Sequence, residues 1–201
     1  MRLRLFLAIV FVSTLLITPL ANAQVDDVEG VGKTPIEAKF MENGQIRLAV
    51  CPSGVRLVGT NDDLIRVSYH SRDGNVDDVK VRIKVEGDHA GIKVTGCPHN
   101  NFELNIEVPT SSDLYARMFA GQLDVNNISG NKDVELHFGQ LTMELGRAED
   151  YRHVDASVMS GDLEASAFNI SKGGLFRSFD QDGPGKYRVH AHVGAGQIDL
   201  R

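Results

Sequence analysis

LYARMFAGQLDV (residues 114–125) and KDVELHFGQLTM (residues 132–143) are one pattern written twice, with Gly121-Gln122-Leu123 recurring as Gly139-Gln140-Leu141. The phrase returns as Gly161-Asp162-Leu163 and as Gly196-Gln197-Ile198. With the copies aligned on glycine, the column five residues earlier holds Ala116, Val134, Ala156 and Ala191. The column three earlier holds Met118, Leu136, Val158 and Val193. Two residues after the glycine come Leu123, Leu141, Leu163 and Ile198, and four after come Val125, Met143, Ala165 and Leu200. The positions between these columns are mostly polar. Such alternation marks strands with one buried face, because successive side chains point to opposite sides. A period near 20 residues is too short for a helix pair and fits one coil of a β-solenoid or one hairpin of a repetitive sheet. A glycine at a fixed point of each copy predicts a sharp bend or a close backbone approach there. The fold expected is all-β: a single repetitive domain like a β-solenoid or β-helix, with short strands and few or no helices.

Outward from the repeats, residues 1–23 read as a secretory signal peptide. Arg2 and Arg4 precede an apolar run, and Ala21-Asn22-Ala23 forms a small-residue cleavage site. Export to the periplasm or the outside is expected, with no membrane span after cleavage. Residues 24–35 are polar and glycine-bearing and read as a flexible lead-in. Residues 36–108 carry less regular strands, and residues 109–201 carry the regular repeats, with an insertion at 166–186. Gly44-Gln45-Ile46-Arg47-Leu48 already resembles the repeat phrase. Residues 79–86, 91–95 and 102–108 read as an antiparallel meander. The insertion reads as an extra strand pair, a cap or a binding loop.

Composition narrows the function. The chain has 201 residues, 42% hydrophobic and 24% charged, as in an ordinary single domain. With no Trp, its core is aliphatic. A net charge of −6 argues against nucleic acid or an anionic membrane surface as a partner, since both need clustered Lys and Arg. Cys51 and Cys97 are each followed by Pro, and an even count in an exported chain predicts a disulfide between them.

Glycine-[Gln/Asp]-[Leu/Ile] repeats with alternating flanks, Asn127-Ile128-Ser129-Gly130 and the phrase Ile106-Glu107-Val108-Pro109 together resemble the adhesin-like domain family of bacterial cell-envelope proteins. The resemblance covers residues 44–201. It implies a β-solenoid-like fold and a surface-binding or structural role, and it brings no catalytic residue.

The chemistry-bearing residues are few. His190 and His192 form an H-x-H pair on one strand face, with His137 near in the repeat frame. Such a pair can begin a metal site, but its commoner use is as solvated surface. Asp180-Gln181-Asp182-Gly183 echoes the opening of a calcium loop without the carboxylates that complete one, so a plain turn is expected. No metal or other cofactor is expected. Asp124, Asp162, Glu164 and Asp199 fall on the outward side, where a polysaccharide lyase or hydrolase on a β-solenoid would keep its carboxylates. Neither G-x-S-x-G nor H-E-x-x-H occurs. The enzyme is therefore the alternative, and a non-catalytic envelope module is the main reading. Its candidate partner surface is Phe119, His137 and Met159, which share the column two before the glycine, with Phe176 and Phe179 from the insertion; the alternative expectation is that residues 166–186 fold over this column and cover it. The partner would be an envelope component, a glycan or a protein, and end-to-end self-association through open sheet edges is a further expectation.

Overall fold

The computed structural model describes residues 25–72 and 74–201; residues 1–23, expected as a signal peptide, lie outside the described residues. In chain order the strands are β1 (Val25–Val31), β2 (Ile36–Lys39), β3 (Gln45–Ala49), β4 (Ser53–Thr60), β5 (Leu64–Ser71), β6 (Lys80–Glu86) and β7 (His89–Thr95). They continue with β8 (Phe102–Pro109), β9 (Asp113–Asn126), β10 (Lys132–Met143), β11 (Tyr151–Ala165), β12 (Ile170–Asp182) and β13 (Tyr187–Leu200). The other regular elements among the described residues are two single-turn 3-10 helices, Ala148–Asp150 and Ser166–Phe168. All strands join one open 13-stranded sheet, so the protein is all-β.

The repeats pair in parallel. β9 pairs β10, β10 pairs β13, and β13 pairs β11, placing Gly121, Gly139, Gly196 and Gly161 side by side. Each of these glycines has φ between +128° and +145°, a region that side chains disfavour. A Cβ on Gly139 would lie 1.9 Å from the Gly121 carbonyl oxygen, and one on Gly196 would lie 1.7 Å from that of Gly139. The glycine line is where each long strand turns from a first limb into a second limb. Before it, β9 pairs β3; after it, β9 pairs β4. The sheet folds over along this line, and the inward residues of both limbs, such as Ala116 and Leu123, enter one buried cluster.

The same geometry continues into the irregular half. β3 pairs β7 and β4 pairs β8, both in parallel. Ser53, not Gly44, lies opposite Gly121, so Gly44-Gln45-Ile46 is the start of a first limb and the corner comes at residues 50–52. Cys51 and Cys97 sit at neighbouring corners and are joined as a disulfide, with Cα atoms 6.2 Å apart. β6 and β7 form a hairpin, but β8 pairs β4 and β5 instead of β7, so the expected meander stops after two strands. Residues 24–35, expected as a flexible lead-in, contain β1, which pairs antiparallel with β6. Its acidic outer face meets basic partners: Glu29 pairs with Lys80 at 2.8 Å, and Arg82 donates from Nε to Asp27 at 2.8 Å. A polar segment thus becomes a strand because its charges complement a neighbour's.

The repeats are not stacked in chain order. β13 inserts between β10 and β11, and the inserted residues 166–186 supply β12, an antiparallel edge strand on the far side of β11. The connection from β12 to β13 must therefore cross the start of β11. It does so at Gly183-Pro184-Gly185, where the Gly185 backbone approaches so closely that a Cβ would lie 2.1 Å from the Asp150 carbonyl carbon.

Candidate functional site

At the glycine line the inward–outward alternation breaks. In β10, Leu136 and Leu141 point inward, and the four residues between them lie toward the outside. Both residues before each glycine are thereby pushed to the corner. The result is an apolar ridge. Phe119 is 63% exposed, Phe138 52%, Met159 50%, Leu175 63% and Phe176 76%. Free apolar area on this scale, spread over two adjacent cross-strand rows at the corner, is what a contact surface offers.

The pairing register sets the order of the ridge. Phe119 lies beside His137, with ring centroids 5.7 Å apart, and meets Phe138 edge-on at 5.5 Å. β13 contributes only Gly194 and Ala195 at this level, so the ridge is notched between Phe138 and Met159. Beyond β11, on β12, Phe176 stands level with Met159 and Leu175 level with Ser160. Phe176 has φ +51°, a left-handed conformation that costs a non-glycine residue about 1–3 kcal/mol.

Four of the five residues expected at the partner surface reach this ridge: Phe119, His137, Met159 and Phe176. The fifth does not. Phe179 is 6% exposed and packs against Phe168, with centroids 5.2 Å apart. It pairs with Ala156, a core position, so its ring follows the inward face of β11. The ridge is not covered by the 166–186 segment, which extends it. Phe138 and Leu175 were not legible as ridge residues, because strict alternation would send Phe138 inward with Leu136.

The polar residues fall elsewhere. His190 Nδ1 is 2.8 Å from Asp155 Oδ2, and His192 Nδ1 is 2.9 Å from Ser157 Oγ; His137 stands apart from both, in the aromatic ridge. Asp180 and Asp182 lie on extended β12, flanking His153 at 3.6 and 2.8 Å, and form no cation-wrapping loop. Asp124, Asp199 and Glu164 share one cross-strand row with Thr142 on the second limbs. Asp199 there is 7% exposed and accepts from Arg201 Nε at 2.7 Å. Asp162 lies one row nearer the corner, level with Gln197. A polar groove of about 440 Å³ lies on the outer face of β4, β5, β8 and β9 and includes Arg56, His70, Glu103, Asn105, Gln122 and Asp124. Its residues come from two consecutive strand pairs, β4 with β5 and β8 with β9, that are distant from each other in sequence, so no single motif announces it.

Among the described residues, no helix is long and apolar enough to cross a membrane. No family model matches the chain, and no curated protein matches it. A solved structure from Clostridium sporogenes ATCC 15579, provisionally named a cell adhesion protein, is similar at 16% identity, covering 83% of this chain and 99% of that one, with a TM-score of 0.47. It transfers no residue and no role.

Proposed function

We propose that this chain is an exported, non-catalytic module of the cell envelope, adhesin-like or structural in role, whose coils stack as a β-solenoid and whose partner docks on the corner ridge. The observation that carries the reading is the exposed corner ridge of Phe119, Phe138, Met159, Leu175 and Phe176. Support for export comes from the signal-peptide pattern in residues 1–23 and from the Cys51–Cys97 bridge, which belongs to an oxidising compartment. Support for a solenoid comes from the four parallel strands aligned glycine to glycine. The partner is an envelope glycan or protein that offers an apolar face to fill the notch at Gly194.

The test is binding of the oxidised protein to isolated cell envelope and to a glycan panel, with product analysis on the same samples. The variant Phe119→Ser/Phe138→Ser/Phe176→Ser should lose about tenfold or more in affinity, as contact hot spots do, with its thermal midpoint unchanged. Full binding by that variant would remove the ridge from the account. Shortened glycans would favour the alternative, a carbohydrate-active enzyme, and would direct attention to Asp124, Asp199 and Glu164 around Arg201.

A further inference from the structure

The outer face of the first limbs carries a second arrangement, remote in chemistry from the ridge. One cross-strand row there runs Tyr115, Asp133, His190, Asp155, Asp180. His190 is therefore flanked by a carboxylate on each neighbouring strand. Glu135 lies two residues beyond Asp133 on the same face of β10. Donor atoms of Asp133, Glu135 and His190 lie within 4.8 Å of one another, all on half-buried residues. We infer that Asp133, Glu135 and His190 form a binding site for one divalent cation of the zinc type.

Three features of the cluster support this. First, the donor set is mixed. One imidazole with two carboxylates suits zinc and its borderline neighbours, whereas calcium and magnesium take oxygen alone. Second, the imidazole is oriented. Asp155 can only accept, so His190 Nδ1 donates to it over 2.8 Å, and Nε2 keeps its lone pair for a cation. A carboxylate behind a ligating histidine is the usual way such a ring is fixed and made more basic. Third, the carboxylates are held but not used up. The Arg117 guanidinium reaches Asp133 Oδ1 at 2.8 Å and Glu135 Oε1 at 3.2 Å, which leaves the second oxygen of each for a ligand. Zinc at about 2.0–2.2 Å from each donor brings the donors closer than they now stand, a change within reach of small side-chain rotations.

The experiment is calorimetric titration of untagged, oxidised protein with Zn2+, run against Ca2+. The expected result is one saturable zinc site and much weaker calcium binding. His190→Ala and Asp133→Asn should each weaken zinc by more than tenfold. Asp155→Asn should weaken it by about tenfold, the size of an outer-partner effect. His192→Ala, on the same strand face but outside the donor set, should bind as the parent does. The His190 imidazole resonance should shift on zinc addition, while the metal-free thermal midpoints of the variants stay within a few degrees of the parent's. No saturable zinc binding would overturn the site, as would equal calcium affinity, or unchanged binding in His190→Ala.

Discussion

Lys132 is the residue whose placement is hardest to reconcile with its chemistry. It occupies an inward position of β10, in the same row as Leu114, Val189 and Val154, and is 1% exposed. Its Nζ donates to the Gly130 carbonyl and to Tyr151 Oη, each at 3.0 Å, and lies 5.1 Å from the centre of the Tyr151 ring. Burial pushes its pKa down to about 8, against a pull upward from Asp113. The unfolded chain then binds the proton more tightly than the folded one. Below about pH 8 both forms are protonated and the burial penalty is felt in full; between there and the ordinary lysine value, stability rises with pH. Tyr151 works in the opposite sense at higher pH. Burial raises its pKa, so the folded form keeps a phenolic proton that the unfolded form has begun to lose by about pH 10. In urea unfolding with a chelator present, the wild type should gain about 2 kcal/mol between pH 7 and 9.5. Lys132→Met should show no such gain. An equal rise in the variant would place its origin elsewhere.

At the scale of elements, β12 explains how the sheet ends. Its residues Lys172 and Arg177 pair with Leu163 and Val158, both buried, so the two charges occupy positions that face the core in the neighbouring strand. Each folds back onto its own strand: Lys172 Nζ donates to the Ser178 carbonyl and Arg177 Nε to the Gly173 carbonyl, both at 2.8 Å. Charges at core-facing positions of an edge strand blunt its pairing with another copy. End-to-end association through β12 is accordingly disfavoured. Lys172→Val/Arg177→Val should self-associate in sedimentation at concentrations where the wild type sediments as a single species; a variant that stays monomeric would show that the charges do not guard the edge. The glycine repeat made β9, β10, β11 and β13 legible in sequence, since four aligned columns all alternate. β12 was legible only as an interruption, because its core-facing positions carry Lys and Arg where a periodic reading looks for aliphatic residues. The lateral order was not legible at all. Four near-identical phrases fit beside one another equally well, and the choice of β13 as neighbour to both β10 and β11 is made by the glycine-bearing crossing over Asp150 and Tyr151.

The whole molecule depends on long-range contacts, since almost every strand pairs with one distant in sequence. Phe119, His137 and Met159 were readable because their column survives the corner, and Phe138 was not because the corner itself breaks the alternation that sequence reading uses. Where β3 leads into β4 and β7 into β8 the corner has no glycine line, and the Cys51–Cys97 bridge ties the two corners together. The bridge spans a sequence separation of 46 residues that includes the whole of β5 and β6. Cross-linking a loop of that length removes disorder chiefly from the unfolded chain, worth about 4 kcal/mol in the chain-entropy account. The Cys51→Ser/Cys97→Ser variant should lose about that much in urea unfolding. Its m-value should rise, because an unfolded chain without the cross-link exposes more surface. Both changes should appear together, since they share one cause in the unfolded state. A large loss of stability with an unchanged m-value would instead place the bridge's contribution in the folded corner, and a loss below about 1 kcal/mol would show that strand pairing alone holds these two corners in place.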